Sequence, residues 1–323
     1  MKHLNLPANK FKQQLIKLIA TYVAIIIPLL LAIDWLVTDV IIFGHSMSNS
    51  YKMQRLITRE NMQEIPIFGS SKALRGYLPD VLGEPFYNYG MFAASLEIVS
   101  FLLQYELKKQ KKTPIIIDIY TGTLGHDRYK NIDIKDYIPL LKYPRVGKFL
   151  EENDRDKLYY HIWGIRYYGA YFDYFKSHTN VFSFRNLYFH KGGAFFIKST
   201  PKQLKLAIKK RLNTRIKFEF NQGLANKFKY LLTEHPERQF VIVESPFHKT
   251  FYDRKKESEY FQVEKYWEEI SRFANVTFIK ISGNNYPDSY FKDTIHLNLS
   301  GAKHFSSELK RILVEKGIID NSN

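Results

Sequence analysis

Three short polar clusters stand where apolar runs stop. Ile65-Pro-Ile-Phe68 gives way to Gly69-Ser70-Ser71, Pro85-Phe-Tyr-Asn-Tyr89 gives way to Gly90, and a late loop carries Asp293-Thr-Ile-His296. A hydroxyl becomes a useful nucleophile when a base lies within hydrogen-bond reach and a third group holds that base in the right tautomer. An Asp three residues before a His supplies both parts. The spacing predicts that Asp293 accepts from one imidazole nitrogen of His296 while the other nitrogen takes the proton of Ser71. Backbone N–H groups of Ser71 and Gly90, each at a turn entering a helix, are the expected oxyanion donors, and a glycine permits close approach. Arg75, close to Ser71, is a candidate contact for a substrate carboxylate or phosphate. Asn88 and His248, both at strand ends, are candidate substrate contacts too. His126 and Asp127 have no second pair at ligand spacing to complete a zinc site, so neither metal nor cofactor is expected.

Chemistry at strand ends needs strands. Ile65–Phe68, Pro85–Tyr89, Pro114–Ile119, Gln239–Val243 and Val276–Ile281 are short and almost continuously apolar, with helical stretches between them. That alternation predicts an α/β fold, a parallel sheet covered by helices on both faces in three αβα layers, whose ligands bind beyond the carboxyl ends of the strands. The last helix is predicted to start at the cap Asn298 and to bury Ala302, Phe305, Leu309, Ile312 and Leu313.

The amino terminus has a different task. Leu18 to Ile33 contains no charged residue, and Leu18 to Val37 is long enough to cross a bilayer if Asp34 sits near an interface beside Trp35. Lys2, Lys10, Lys12 and Lys17 precede the run and Asp34 and Asp39 follow it, so the positive-inside rule places the N-terminus in the cytoplasm and the rest outside. No small-x-small cleavage site follows, which favours an uncleaved, single-pass signal anchor over a cleaved signal peptide.

Of the 323 residues none is Cys, which excludes disulfide scaffolds, thiolate metal sites and cysteine nucleophiles. The formal charge of +16 implies an anionic partner, whether nucleic acid, a phospholipid surface or an acidic polymer, and its location is informative. Residues 126–236 hold 22 Lys+Arg against 10 Asp+Glu. The first half of this stretch is densely aromatic, from Tyr159 to Phe175; the second, Lys191 to Lys217, has nine basic residues and no acidic one. It is expected to be a mostly helical insertion or lid with a Gly192-Gly193 hinge. The expected organisation is then an anchor over 1–43, a catalytic domain over 44–125 and 237–323, and the insertion over 126–236.

The blocks Ile-Phe-Gly-Ser-Ser-Lys-Ala-Leu-Arg-Gly (67–76), Asn-x-Gly (88–90) and Asp-Thr-Ile-His-Leu-Asn-x-x-Gly-Ala (293–302) together resemble the SGNH (GDSL-like) hydrolase superfamily. The likeness spans roughly residues 60–125 and 238–315 and leaves out the insertion. With the anchor and the Gly-Ser-Ser block, the chain looks most like membrane-anchored proteins that move acyl groups on bacterial envelope polymers, of the teichoic-acid D-alanylation and alginate-acetylation type. That resemblance implies Ser71 as nucleophile, His296 as base, Asp293 as its partner and Gly90 as an oxyanion donor. Two positions depart from the pattern: Ser70 replaces the usual Asp, and Tyr120-Thr-Gly-Thr-Leu-Gly125 lacks the Asn of the third block, leaving Thr121 or Thr123 as substitutes. The implied activity is that of a serine esterase or O-acyltransferase on an envelope polysaccharide, with an acyl donor and a membrane-embedded acyl-transfer protein as partners. The alternative is a non-catalytic scaffold that binds an anionic polymer or membrane surface. An outward-facing domain argues against nucleic acid as the partner.

Overall fold

The computed structural model describes residues 8–44, 48–124, 133–170, 172, 174, 187–197, 200–213, 219–252 and 257–320. The elements in chain order are α1 (Ala8–Trp35), α2 (Asn49–Thr58), β1 (Ile65–Phe68), α3 (Ser71–Gly76), α4 (Pro79–Leu82), β2 (Phe86–Asn88), α5 (Leu96–Glu106) and β3 (Ile115–Asp118). After these come α6 (Pro144–Glu152), β4 (Leu187–His190), β5 (Gly193–Phe196), α7 (Pro201–Asn213), α8 (Gln222–Thr233) and β6 (Phe240–Glu244). The last are α9 (Lys249–Tyr252), α10 (Glu257–Ile270), β7 (Val276–Lys280) and α11 (Leu299–Glu315).

Five strands form one sheet in the order β2-β1-β3-β6-β7, every pair parallel. The fold is the α/β class that the apolar runs predict. Alternate strand residues Ile65, Ile67, Ile116, Val241, Val243 and Ile279 join a core with Phe305, Leu309 and Leu313 of α11. Their neighbours Phe68, Ile115, Ile117, Phe240 and Ile242 are equally buried and face the other layer, where Trp267 of α10 stacks on Phe278. Strands buried on both faces have no reason to alternate polar with apolar residues, which is why they read as continuous runs.

Contacts part the chain otherwise than the expected three segments do. One unit is residues 1–50 with 133–182; the other is 51–132 with 183–323. The aromatic half of the expected insertion therefore belongs with the apolar N-terminal helix, and the basic half with the sheet. In the first unit α1 continues as a π-helical turn over Leu36–Ile42, and the apolar helix of 33 residues from Lys10 to Ile42 is long enough to cross a membrane. Val37, Ile41 and Ile42 form a small core with Ile138, Tyr160, Tyr167, Ala170 and Tyr174.

In the second unit Gly192 is no hinge. Lys191 (φ 38°) and Gly192 (φ 83°) turn the antiparallel β4–β5 hairpin, the pair of left-handed residues that a tight hairpin favours. The turn packs on β2: Asn88 N–H donates to Lys191 O (3.0 Å), and a Cβ on Gly192 would stand 2.1 Å from Asn88 O. The basic run after the hairpin is amphipathic, since α7 buries Leu204 in the core of the sheet and exposes Lys202, Lys205 and Lys209.

Candidate active site

The nucleophile block sits at the carboxyl end of β1. Gly69 has a φ of 150°, and a Cβ there would lie 2.8 Å from both Ala73 Cβ and Asp118 O, so only glycine lets the chain turn from strand into α3. Ser70 caps α3, accepting from Lys72 N–H at 3.4 Å, which makes Ser71 the first helical residue. A residue in that position has no acceptor for its own N–H within the helix.

The partners of Ser71 come from the loop before α11. Asn298 caps α11 by accepting from Gly301 N–H (3.1 Å) and donates to Ser289 O (2.6 Å), which fixes the base of the loop. Lys292 N–H donates to His296 O (2.8 Å) and closes it. Within it Asp293 Oδ1 accepts from the backbone of Ile295 (2.8 Å) and of His296 (2.9 Å). His296 Nδ1 lies 2.9 Å from Asp293 Oδ2, and its Nε2 lies 2.9 Å from Ser71 Oγ. Ser71, His296 and Asp293, far apart in sequence, thus form one hydrogen-bonded line, and all three are half-buried, open on one side to solvent. Burial alone would push the Asp293 carboxyl up. The hydrogen bonds and charge of the His296 ring, with two backbone N–H donors, outweigh it and hold the group below the usual carboxylate value. When the imidazole carries a single proton, an ionised Asp293 keeps it on Nδ1 and leaves Nε2 able to accept from Ser71.

The other expected site residues fare differently. Asn88 is no substrate contact. It is fully buried, its Nδ2 donates to Ala73 O (2.8 Å) and Tyr77 O (2.9 Å), and its Oδ1 accepts from Gly90 N–H (2.8 Å). It pins the turn after β2 to α3. The same bond occupies the Gly90 N–H that was expected to face an oxyanion. Gly90 is required for packing, since a Cβ would meet Leu74 N at 2.4 Å.

His248 is also buried, bonded through Nδ1 to Thr250 Oγ1 (2.8 Å) and through Nε2 to Asp288 Oδ1 (3.2 Å), and so holds the neighbouring loops. Arg75 is buried between the rings of Phe92 (4.8 Å) and Phe196 (4.3 Å), and its Nη1 donates to Ala194 O (2.6 Å). It clamps the β4–β5 hairpin to α3. Burial pulls its guanidinium down to about 10, against the attraction of Asp293. The side chain of Thr121, like His126 and Asp127, lies outside the described residues; Thr123, the other substitute, is buried and donates from Oγ1 to Tyr120 O (2.6 Å).

Two lysines gave no signal in the sequence. Lys52 of α2 is buried and donates to Gly90 O (2.6 Å); burial first, then the charge of Arg75, bring it down to about 7. Lys72 donates to Ser245 O (2.7 Å) and lies 3.1 Å from the centre of the Phe247 ring, tying α3 to the end of β6. A lysine in a short helix reads as solvated, and only the long-range contacts remove these two from water.

Comparison with known proteins gave no match to a family model and no match to a curated protein. Among solved structures, one described as a platelet activating factor from Streptococcus pneumonia is similar at a TM-score of 0.41 and 12% identity, over 89% of this chain and 98% of that one. A lipase/acylhydrolase from Enterococcus faecalis is similar at a TM-score of 0.39 and 11% identity, over 79% of this chain and 97% of that one.

Proposed function

We propose that the protein is a membrane-anchored serine esterase or O-acyltransferase that acts on ester bonds of a cell-envelope polysaccharide. The observation that carries this reading is the line Ser71 Oγ, His296 Nε2 and Nδ1, Asp293, with each contact at 2.9 Å. In the reaction Ser71 Oγ attacks the carbonyl carbon of an ester while its proton passes to His296 Nε2. The tetrahedral intermediate collapses, the bond to the leaving oxygen breaks, and His296 returns the proton to that oxygen. The resulting acyl-serine is attacked by water or by a sugar hydroxyl as His296 Nε2 takes its proton; the bond from the acyl carbon to Ser71 Oγ then breaks and His296 returns the proton to Ser71 Oγ. No cofactor enters these steps.

The ordered Gly-Ser-Ser, Asn-x-Gly and Asp-x-x-His blocks support placement near the SGNH hydrolases, and α1 with its basic leading segment supports a single-pass anchor with the N-terminus in the cytoplasm. An outward-facing domain beside a membrane meets envelope glycans, an acyl donor and membrane-embedded acyl-transfer proteins. The second reading, a binding scaffold, draws on the occupied Gly90 N–H and the missing third-block Asn. Losing one oxyanion donor typically lowers turnover about 10²–10³-fold. The full-length protein in detergent, given p-nitrophenyl acetate and an acetylated glycan, separates the two. Turnover that disappears in S71A supports the enzyme; turnover equal to that of S71A with both substrates supports the scaffold.

A further inference from the structure

The aromatic segment that follows α6 has two apolar faces and only one of them is covered. Tyr160, Tyr167, Ala170 and Tyr174 pack against Val37, Ile41 and Ile42 at the end of the anchor helix. On the other face Leu158 (82% exposed), Ile162, Trp163, Ile165, Tyr168 (76%) and Phe172 (76%) are open. Soluble surfaces rarely gather so many large apolar side chains in one stretch.

The attachment point fixes how deep this face lies. Asp34 is fully buried and accepts from Arg166 Nη2 (2.6 Å), Arg166 Nε (2.9 Å) and Gly164 N–H (3.0 Å). Gly164 takes a φ of 89° and sits so close that a Cβ would meet Leu30 Cβ at 3.0 Å. From Lys17, the last charge before the apolar run, to Asp34 a helix advances about 25 Å, against a hydrocarbon core of about 30 Å. Asp34 and the loop fastened to it are therefore at acyl-chain depth. A carboxylate there needs a partner, and Arg166 is that partner. From Leu158 to Phe172 the only titratable side chains besides tyrosines are Arg166, spent on Asp34, and His161, bonded to Asp156 Oδ2 at 2.8 Å. Neither presents an unpaired charge to lipid.

We propose that residues 158–170 and Phe172 form a second membrane element, a loop immersed in the same leaflet as the C-terminal end of the anchor, with lipid acyl chains as the occupant of its open face. The proposal rests on the reading of α1 as a membrane span. It turns a single-helix tether into a two-point attachment that restricts rotation of the anchor unit about the helix axis. The exposed Trp163 and Tyr168 are side-chain types that settle at the boundary of headgroups and chains, and Phe172 is one that enters the chains.

The absence of cysteine makes the test clean. Single-cysteine variants L158C, Y168C and F172C of the full-length protein, with I25C in the middle of α1 and K303C on the exposed face of α11 as references, are spin-labelled and reconstituted in phosphatidylcholine–phosphatidylglycerol vesicles. Collision rates with oxygen and with a water-soluble nickel chelate are read at each site. The proposal expects oxygen-to-nickel ratios at 158, 168 and 172 several-fold above that at 303 and approaching that at 25. Ratios equal to that at 303, with 25 still lipid-like, overturn the proposal and leave the span intact. If 25 is also water-accessible, the span reading falls and takes the proposal with it. Labels shielded from both reagents mean that protein, such as a second copy, covers the face, and that outcome overturns the proposal as well.

Discussion

A serine hydroxyl is a poor nucleophile until its proton has somewhere to go, and at Ser71 that place is a ring held by an ionised carboxylate. S71A and H296A are each expected to lower kcat about 10³–10⁶-fold while the circular dichroism of the protein stays unchanged. D293N should cost about 10²–10⁴-fold, since it leaves nucleophile and base in place with the tautomer wrong. Because the line acts as a unit, the S71A/H296A double variant should be no slower than S71A; a further loss of tenfold or more would show that His296 works outside it. Lys52 gives a pH signature of its own. It titrates at about 7 in the folded chain against 10.5 when unfolded. Between those values the unfolded chain holds a proton that the folded one lacks, so stability rises with pH across this window, by up to about 1.4 kcal/mol per unit. Thermal unfolding at pH 7.5, 8.5 and 9.5 should show that slope, and K52M should flatten it. A K52M slope equal to the wild type's would mean that Lys52 stays charged. That Ser71, His296 and Asp293 meet was legible because their types and order are specific. Asn88, His248 and Arg75 were misread as substrate contacts because a polar residue at a strand end looks the same whether it faces a cleft or ties two backbones together.

The hairpin β4–β5 is the element that the sequence conceals. Its strands are four residues each, and Lys191-Gly192-Gly193 resembles a flexible spacer. What fixes it is long-range: Lys191 O on Asn88, Ala194 O on Arg75, and Phe196 bridged to Asn298 beside the Asp293–His296 loop. G192A introduces a Cβ 2.1 Å from Asn88 O at a positive φ. It should cost about 1–3 kcal/mol of stability and reduce kcat through the displaced Asn298 loop, with Ser71 still labelled by an active-site reagent. Unchanged melting and unchanged kcat would mean that the hairpin floats free of the site. The sheet itself was readable because a strand buried on both faces has no choice but to be apolar from end to end.

At the scale of the whole molecule, one N-terminal helix is long and apolar enough to cross a membrane, and what fastens to its end is not visible locally in the sequence. Asp34 looked like an interfacial residue. Its partner Arg166 is 132 positions away, and nothing local announces the pair. R166M strands a buried carboxylate and should destabilise the anchor unit by about 3–5 kcal/mol, whereas D34N/R166M should recover most of that loss; thermal unfolding of the full-length chain in detergent reads both. A double variant as unstable as R166M would show that the two side chains act separately. The central claim, that Ser71 is a nucleophile activated by His296, is tested most directly by the rate at which a fluorophosphonate modifies the full-length protein, with the adduct located by peptide mass spectrometry. The account predicts one adduct, on Ser71, absent in S71A and formed at least a hundredfold more slowly in H296A. No adduct on Ser71, or an adduct formed as fast in H296A, would contradict it.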